Sequence, residues 1–304
     1  MSSQPKTMDM GDWGLLILLS LLWGGAFFFA GVAVRELPPL TVVLVRVALA
    51  AAMLLPLFWW FGHRLPQGLR EWWPFLMMGL LNNVLPFGFI FAGQTYVTVG
   101  LAAIINALTP LFTVLVMAGF REETLTGLRV TGVILGVVGV AVLKGFGESA
   151  PDQIIGILLC IAGAVSYGFA ALWARRHLVG VPPLKGATCQ LLSSTMIMSV
   201  IVAAHDQPWT LELPSRGTVW SLVALAALGT AAAYLVFFQI ILRAGASNVM
   251  LVTLLIPVSA MILGNLYLDE PILIREVVGA LIIGIGLLFI DGRMIRLLRK
   301  SGTS

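Results

Sequence analysis

Residues Gly100–Leu143, GLAAIINALTPLFTVLVMAGFREETLTGLRVTGVILGVVGVAVL, decide the fold, because a second copy of this stretch ends the chain. With Pro110 set over Pro257, Glu122-Glu123 falls on Asp269-Glu270, Gly132 on Gly279 and Gly139 on Gly286. One offset of 147 residues holds through a helix, its acidic exit turn and the next helix. Earlier landmarks pair at nearly that offset. Pro38-Pro39 meets Pro182-Pro183 at 144, and Gln94 meets Gln239 and Gly100 meets Gly245 at 145. The drift is what small loop insertions give, so the chain is a duplicated unit of roughly 145 residues.

The 304 residues are 59% hydrophobic and only 11% charged, against about 25% charged in a soluble domain. Apolar runs long enough to span a bilayer as helices recur throughout, so this is an all-α polytopic membrane protein. The basic residues sit at helix ends, so the net charge of +4 does not point to nucleic acid. Cys160 and Cys189 lie in apolar segments and form no metal or redox spacing. Lys6, Asp9 and Asp12 precede an apolar run without a small-residue cleavage site, which reads as an uncleaved first span.

Ten helices are expected: Trp13–Val34, Leu40–Phe61, Trp72–Gln94, Leu101–Phe120, Gly127–Phe146, Ile154–Ala174, Gly186–Ala204, Thr218–Leu242, Ser247–Leu268 and Ile272–Ile290. They group into a first five-helix repeat over 13–146, a second over 154–292 and a basic tail over 293–304. With the N-terminus inside, thirteen Lys and Arg fall in inner segments, namely Lys6, Arg64, Arg70, Arg121, Arg129, Arg175, Arg176, Lys185, Arg243, Arg293, Arg296, Arg299 and Lys300. Four (Arg35, Lys144, Arg216 and Arg275) fall in outer ones. That bias places both termini in the cytoplasm and the chain in the cell (inner) membrane. An odd number of spans per repeat makes the second copy start on the opposite side. The halves are therefore inverted about an axis in the membrane plane, an architecture whose substrate site lies where the repeats meet.

The paired set Pro110, Glu123, Gly132, Gly139 and Pro257, Glu270, Gly279, Gly286 resembles the signature of the drug/metabolite transporter superfamily. Its ten-helix, two-repeat EamA-type branch fits best, and Trp23-Gly24 in the first helix is also typical of it. The resemblance covers essentially the whole chain and extends to the branch's amino acid exporters, including the aromatic ones. It implies a central cavity enclosed mainly by helices three, four, eight and nine, with one and six beside them.

Several residues are candidates for the cavity wall. Pro86, Pro110 and Pro257 lie inside spans, and each frees the carbonyl four residues earlier, on Asn82, Asn106 and Thr253. Such groups are either hydrogen-bond partners for a substrate or caps for the kink. Asn83, Phe87, Ile90 and Gln94 share one helical stripe. Gln94 and Gln239 match between repeats, so inversion sets them at opposite ends of one cavity or makes them helix–helix contacts. Trp23, Phe27, Tyr96, Trp173, Tyr234, Phe237 and Phe238 are the aromatic candidates, while Trp13, Trp59, Trp60, Trp72 and Trp73 read as interfacial anchors. Arg46, six residues into helix two, either attracts a carboxylate, snorkels to the outer surface or pairs with Glu36.

No span carries Asp or Glu at its middle, and His63, His177 and His205 fall at span ends. The small multidrug branch uses a first-helix glutamate that this chain lacks, which puts proton antiport in doubt. The acidic turns Glu122-Glu123 and Asp269-Glu270 are gate contacts or solvated ends. Gly132, Gly136 and Gly139, with Gly279 and Gly286, read as close-packing stripes.

The sequence thus points to a secondary transporter exporting a hydrophobic or aromatic amino acid by alternating access. The expected partners are a small-molecule substrate and the lipid bilayer, with no cofactor, metal or nucleic acid. The alternatives are a lipid-linked-substrate enzyme in the membrane, an exporter of another metabolite or drug, and a channel. The enzyme needs clustered catalytic groups that the chain does not offer, and the channel needs rings of charge or a filter.

Overall fold

The computed structural model describes residues 8–145, 151–249 and 251–290. Lys6 and the tail cations Arg293, Arg296, Arg299 and Lys300 lie outside them. Within the described residues the chain forms ten helical spans. These are α1 (Met10–Ala33), α2 (Pro39–Trp60), α3 (Leu69–Gly93), α4 (Val99–Gly119), α5 (Gly127–Lys144), α6 (Pro151–His177), α7 (Pro183–His205), α8 (Arg216–Ala244), α9 (Val252–Leu268) and α10 (Ile274–Ile290). The first eight are long and apolar enough to cross a bilayer. The last two, of 17 residues each, stand at the short end of that range.

Local chemistry sets the span ends. Asp9 caps α1 in a reciprocal capping box with Asp12, Thr98 caps α4, Thr126 caps α5 and Ser215 caps α8. Pro39 and Pro183 occupy the first positions of α2 and α7, where their missing N–H costs nothing. Three spans are irregular inside. A π-turn at Leu80–Val84 interrupts α3 just before Pro86, and Ala107-Leu108 interrupts α4 just before Pro110. A second π-turn, Ala227–Ala232, interrupts α8 at the two-fold-related place although no proline is there.

The inverted two-fold is visible in the packing. The helix pairs α5/α10, α2/α7 and α4/α9 each pack on their own symmetry mates. The contact of α1 with α9 is repeated by α6 with α4, and that of α3 with α6 by α8 with α1. At the α5/α10 seam a methyl added to Gly132 would lie 2.6 Å from the Gly286 carbonyl, and one added to Gly139 would lie 3.1 Å from that of Gly279. Only glycine permits this approach.

Call the side on which α1 begins the N-terminal face and the other the far face. On the N-terminal face Arg243 at the end of α8 holds Asp12 (2.9 Å) and Asp9 (3.2 Å). Arg176 at the end of α6 holds Glu122 (2.8 Å). On the far face Asp206 accepts from the backbone and hydroxyl of Thr41 (2.9 and 2.7 Å), and Glu36 from those of Ser215 (2.7 and 2.8 Å). A neighbouring backbone donor holds each of Glu36 and Asp9 below the ordinary carboxylate value, that of Ser215 for Glu36 and that of Asp12 for Asp9.

Candidate functional site

Between the two halves lies a cavity of about 840 Å³, within the range of small-molecule sites. Its wall is mostly apolar and aromatic: Trp23 and Phe27 of α1, Phe87 and Phe91 of α3, Tyr167 of α6, and Tyr234, Phe237 and Phe238 of α8. Polar groups are few. Away from the mouth, where Glu123 and Arg129 stand, they are Arg46 of α2, Asn82 of α3, Asn106, Thr109 and Thr113 of α4, Gln190 of α7 and Thr253 of α9.

The cavity runs to the N-terminal face and stops short of the far face. Its lining includes Glu123, Arg129, Leu178, Val181, Leu242 and Leu251 from the N-terminal-face ends and connections, and no described residue of the α1–α2, α3–α4, α7–α8 or α9–α10 connections. Several contacts seal the far end. The carboxylate of Glu270 accepts the Val99 N–H at the start of α4 (2.8 Å), and the side-chain amide of Gln94 donates to the Phe27 carbonyl (2.9 Å). Gly31 packs on Val99, and Gly100 packs on Met261. Glu270 is half-buried. That burial pushes its carboxyl above the ordinary value of 4.5, against the Val99 N–H and the Arg35 guanidinium, which lower it. At the open end Glu123 is held by Arg129 (2.9 Å) and Arg175 (3.4 Å).

Of the residues singled out from the sequence, Trp23, Asn82, Phe87, Asn106, Tyr234, Phe238 and Thr253 line this cavity. Asn83, Gln94, Trp173 and Gln239 do not. Asn83 is fully buried, donates to the Ser194 hydroxyl (2.9 Å) and ties α3 to α7. Gln94 belongs to the far-face seal. The Trp173 indole donates to the Pro74 carbonyl (3.0 Å) and stacks on His177, and Gln239 is exposed. Tyr96 is exposed as well. The Asn106 carbonyl freed by Pro110 is taken by the Thr109 hydroxyl (2.7 Å), so the kink is capped from within. The buried Oδ1 of Asn106 has no hydrogen-bond partner.

Arg46 neither snorkels nor pairs with Glu36. It is 7% exposed, and Glu36 is engaged by Ser215. Its Nε donates to the Thr230 hydroxyl (2.9 Å) and its Nη2 lies 3.4 Å from the Gly229 carbonyl, both in the π-turn of α8. Its guanidinium stands 3.7 Å above the Phe87 ring. Gln190, Tyr167 and Phe91 are wall residues that the sequence reading passed over. The signal for Gln190 was present, because it follows Arg46 by the same 144 residues that separate Pro39 from Pro183.

The chain matches the EamA-like transporter family twice, over residues 12–144 and 154–291. It is 26% identical over 284 residues to the uncharacterized transporter YvbV of Bacillus subtilis (strain 168), covering 93% of this chain and 91% of that one. It is 27% identical over 253 residues to the uncharacterized inner membrane transporter YedA of Escherichia coli (strain K12), covering 83% and 81%. A protein of known crystal structure shares the fold with a TM-score of 0.65 at 20% identity, over 95% of this chain and 99% of that one.

Proposed function

Since the chain belongs to the EamA-like transporter family and is a multi-pass membrane transporter rather than an enzyme, we propose that its cargo is a hydrophobic or aromatic amino acid, exported by alternating access. The observation that carries this reading is a cavity between inverted repeats, walled by aromatic rings and a few amides, that is open at one end and sealed at the other. An aromatic wall desolvates and stacks an apolar side chain. Isolated polar groups on such a wall fix the orientation of a ligand.

The two-fold supplies the second state. Glu270 and Glu123 are symmetry mates at an offset of 147, and the same offset pairs Val99, the first residue of α4, with Ala246, the first residue of the short helix Ala246–Val249 that leads into α9. The seal joins Glu270 to Val99, while Glu123 stands at the open mouth with Arg129. Exchange of the two arrangements closes the N-terminal face and opens the far one. The excess of Lys and Arg on the N-terminal face assigns that face to the cytoplasm, which makes this the cytoplasm-facing state.

The test is counterflow with purified protein in liposomes across a panel of amino acids. Saturable flux of phenylalanine, tyrosine or a branched-chain amino acid is expected. Absence of saturable flux across the whole panel would remove the amino acid assignment.

A further inference from the structure

Among the described residues, Arg46 is a buried cation without an anion: no carboxylate lies within ion-pair distance of it. A guanidinium has five N–H donors in a fixed fork, and Arg46 spends only Nε and one Nη2 proton on neutral oxygens, those of Thr230 and Gly229. The ionisable groups facing it are the hydroxyls of Tyr167 and Tyr234, and Phe87 and Phe91 supply ring faces. The one carboxylate on the cavity wall, Glu123, is at the mouth and already paired with Arg129. Burying a charge this way is costly unless a partner arrives. Arg46 lies seven residues in from the far-face start of α2, roughly 10 Å along the helix, so it stands toward the sealed end of the cavity.

The duplication shows what is specific about this position. The two-fold mate of Arg46 is Gln190, and the mate of Phe87 is Tyr234. The pair recurs as a contact: Arg46 stands over Phe87, and the Gln190 amide donates to the Tyr234 hydroxyl (3.1 Å). The two halves thus build the same α2/α3 and α7/α8 junction, one cationic and one neutral. We propose that Arg46 is the anchor for a carboxylate on the substrate, one per cavity, so that the protein selects aromatic or apolar carboxylates and rejects cations. An α-amino group is then dispensable. The fork accepts the carboxylate bidentately, while Trp23, Phe237 and Phe238 take the apolar body. This rests on the transport reading above and adds to it the group that is recognised.

The experiment measures inhibition of phenylalanine counterflow, or of whichever amino acid from the panel is carried, by two analogues. For phenylalanine they are 3-phenylpropionate, which lacks the amine, and phenethylamine, which lacks the carboxylate. On the wild type, inhibition by 3-phenylpropionate and not by phenethylamine is expected. Equal inhibition by both overturns the anchor and leaves the transporter reading intact. If no panel member is carried, that reading and the anchor fall together. Arg46→Gln should weaken 3-phenylpropionate by roughly ten- to a hundredfold, and Arg46→Lys should weaken it less. A well-folded Arg46→Gln protein with unchanged inhibition by 3-phenylpropionate also overturns the proposal. Should that variant not fold, the two analogues on the wild type still decide.

Discussion

Gly132 and Gly286 lie backbone against backbone, and the two-fold turns that contact into the one between Gly279 and Gly139. A single pair of helices, α5 and α10, thereby meets itself twice along one seam. The Arg275 guanidinium donates to the Lys144 carbonyl (3.5 Å) at the far-face end of the seam, while along the glycines the two helices are held by close approach. Gly132→Val is expected to destabilise the protein by about 1–3 kcal/mol through overpacking, read as a lower melting temperature in detergent. Gly127→Ala, where an added methyl meets nothing within 4 Å, is the control and should leave the melting temperature unchanged. Equal effects at both positions would count against the seam.

Asn83 and Asn106 are both polar residues in mid-span helix breaks, and they should respond oppositely. Asn83 is fully buried, donates to Ser194 and lies within 3.5 Å of the Tyr234 hydroxyl. Asn83→Ala should cost about 1–3 kcal/mol of stability with little change in substrate affinity. Asn106 has a buried Oδ1 without a partner and lines the cavity. Asn106→Ala should leave stability unchanged or raise it, and should weaken substrate binding several-fold. Melting temperature and half-saturating concentration, measured on both variants, check the contrast.

These two asparagines also show what the sequence could disclose. The repeat, the ten spans and the inversion were legible because prolines, glycines and acidic turns recur at a fixed offset. The stripe Asn83, Phe87, Ile90, Gln94 was drawn as if α3 turned with one period throughout. The π-turn at Leu80–Val84 adds a residue to the turn, which rotates the C-terminal half of the span against its N-terminal half. Phe87 and Ile90 thus reach the cavity while Asn83 turns to α7. Pro86 signalled a break there, but not its kind. Gln94 and Gln239, paired in the sequence at an offset of 145, are not mates in the structure: the offset of 147 that relates the two π-turns and Phe87 to Tyr234 sets Gln94 on Ile241, and of the two glutamines one lies in the far-face seal and one is exposed. Arg46 was legible as a buried charge candidate. That its partners would be Thr230 and Phe87 was not, because these come from a π-turn and a ring in other helices.

Glu270 makes the far-face seal sensitive to pH. Its carboxyl has a raised pKa in the folded protein, so it holds its proton more tightly folded than unfolded. Its contribution is therefore fully present below about 4.5 and is lost as pH rises through the raised value. The charged groups facing it are Arg35, which favours the ionised form, and Glu276, whose negative charge opposes it. Glu270→Gln stays neutral and can still accept the Val99 N–H. The melting temperature of Glu270→Gln minus that of the wild type should therefore grow as pH is raised from about 4 to about 8. A flat or shrinking difference would mean that the carboxylate is not strained by burial.

The mate of the Glu270–Val99 contact is the pair Glu123 and Ala246. Glu123 is instead bound to Arg129 and Arg175 beside the open mouth. These ion pairs are about a third exposed on the glutamate side, so each is weak, about 0–1 kcal/mol, and is readily exchanged. If the halves swap roles, Glu123 moves onto Ala246 as Glu270 now sits on Val99. Two cysteine pairs report this in a background where the buried Cys160 and Cys189 are replaced by Ala. Val99→Cys with Glu270→Cys should cross-link in the state described here and hold the cavity open to the N-terminal face. Glu123→Cys with Ala246→Cys should cross-link only in the opposite state and hold it open to the far face. Each cross-link is expected to abolish transport reversibly with reductant. In a protein carrying all four cysteines, formation of one bond should prevent the other. Both bonds closing together in one molecule would show that the two ends do not alternate.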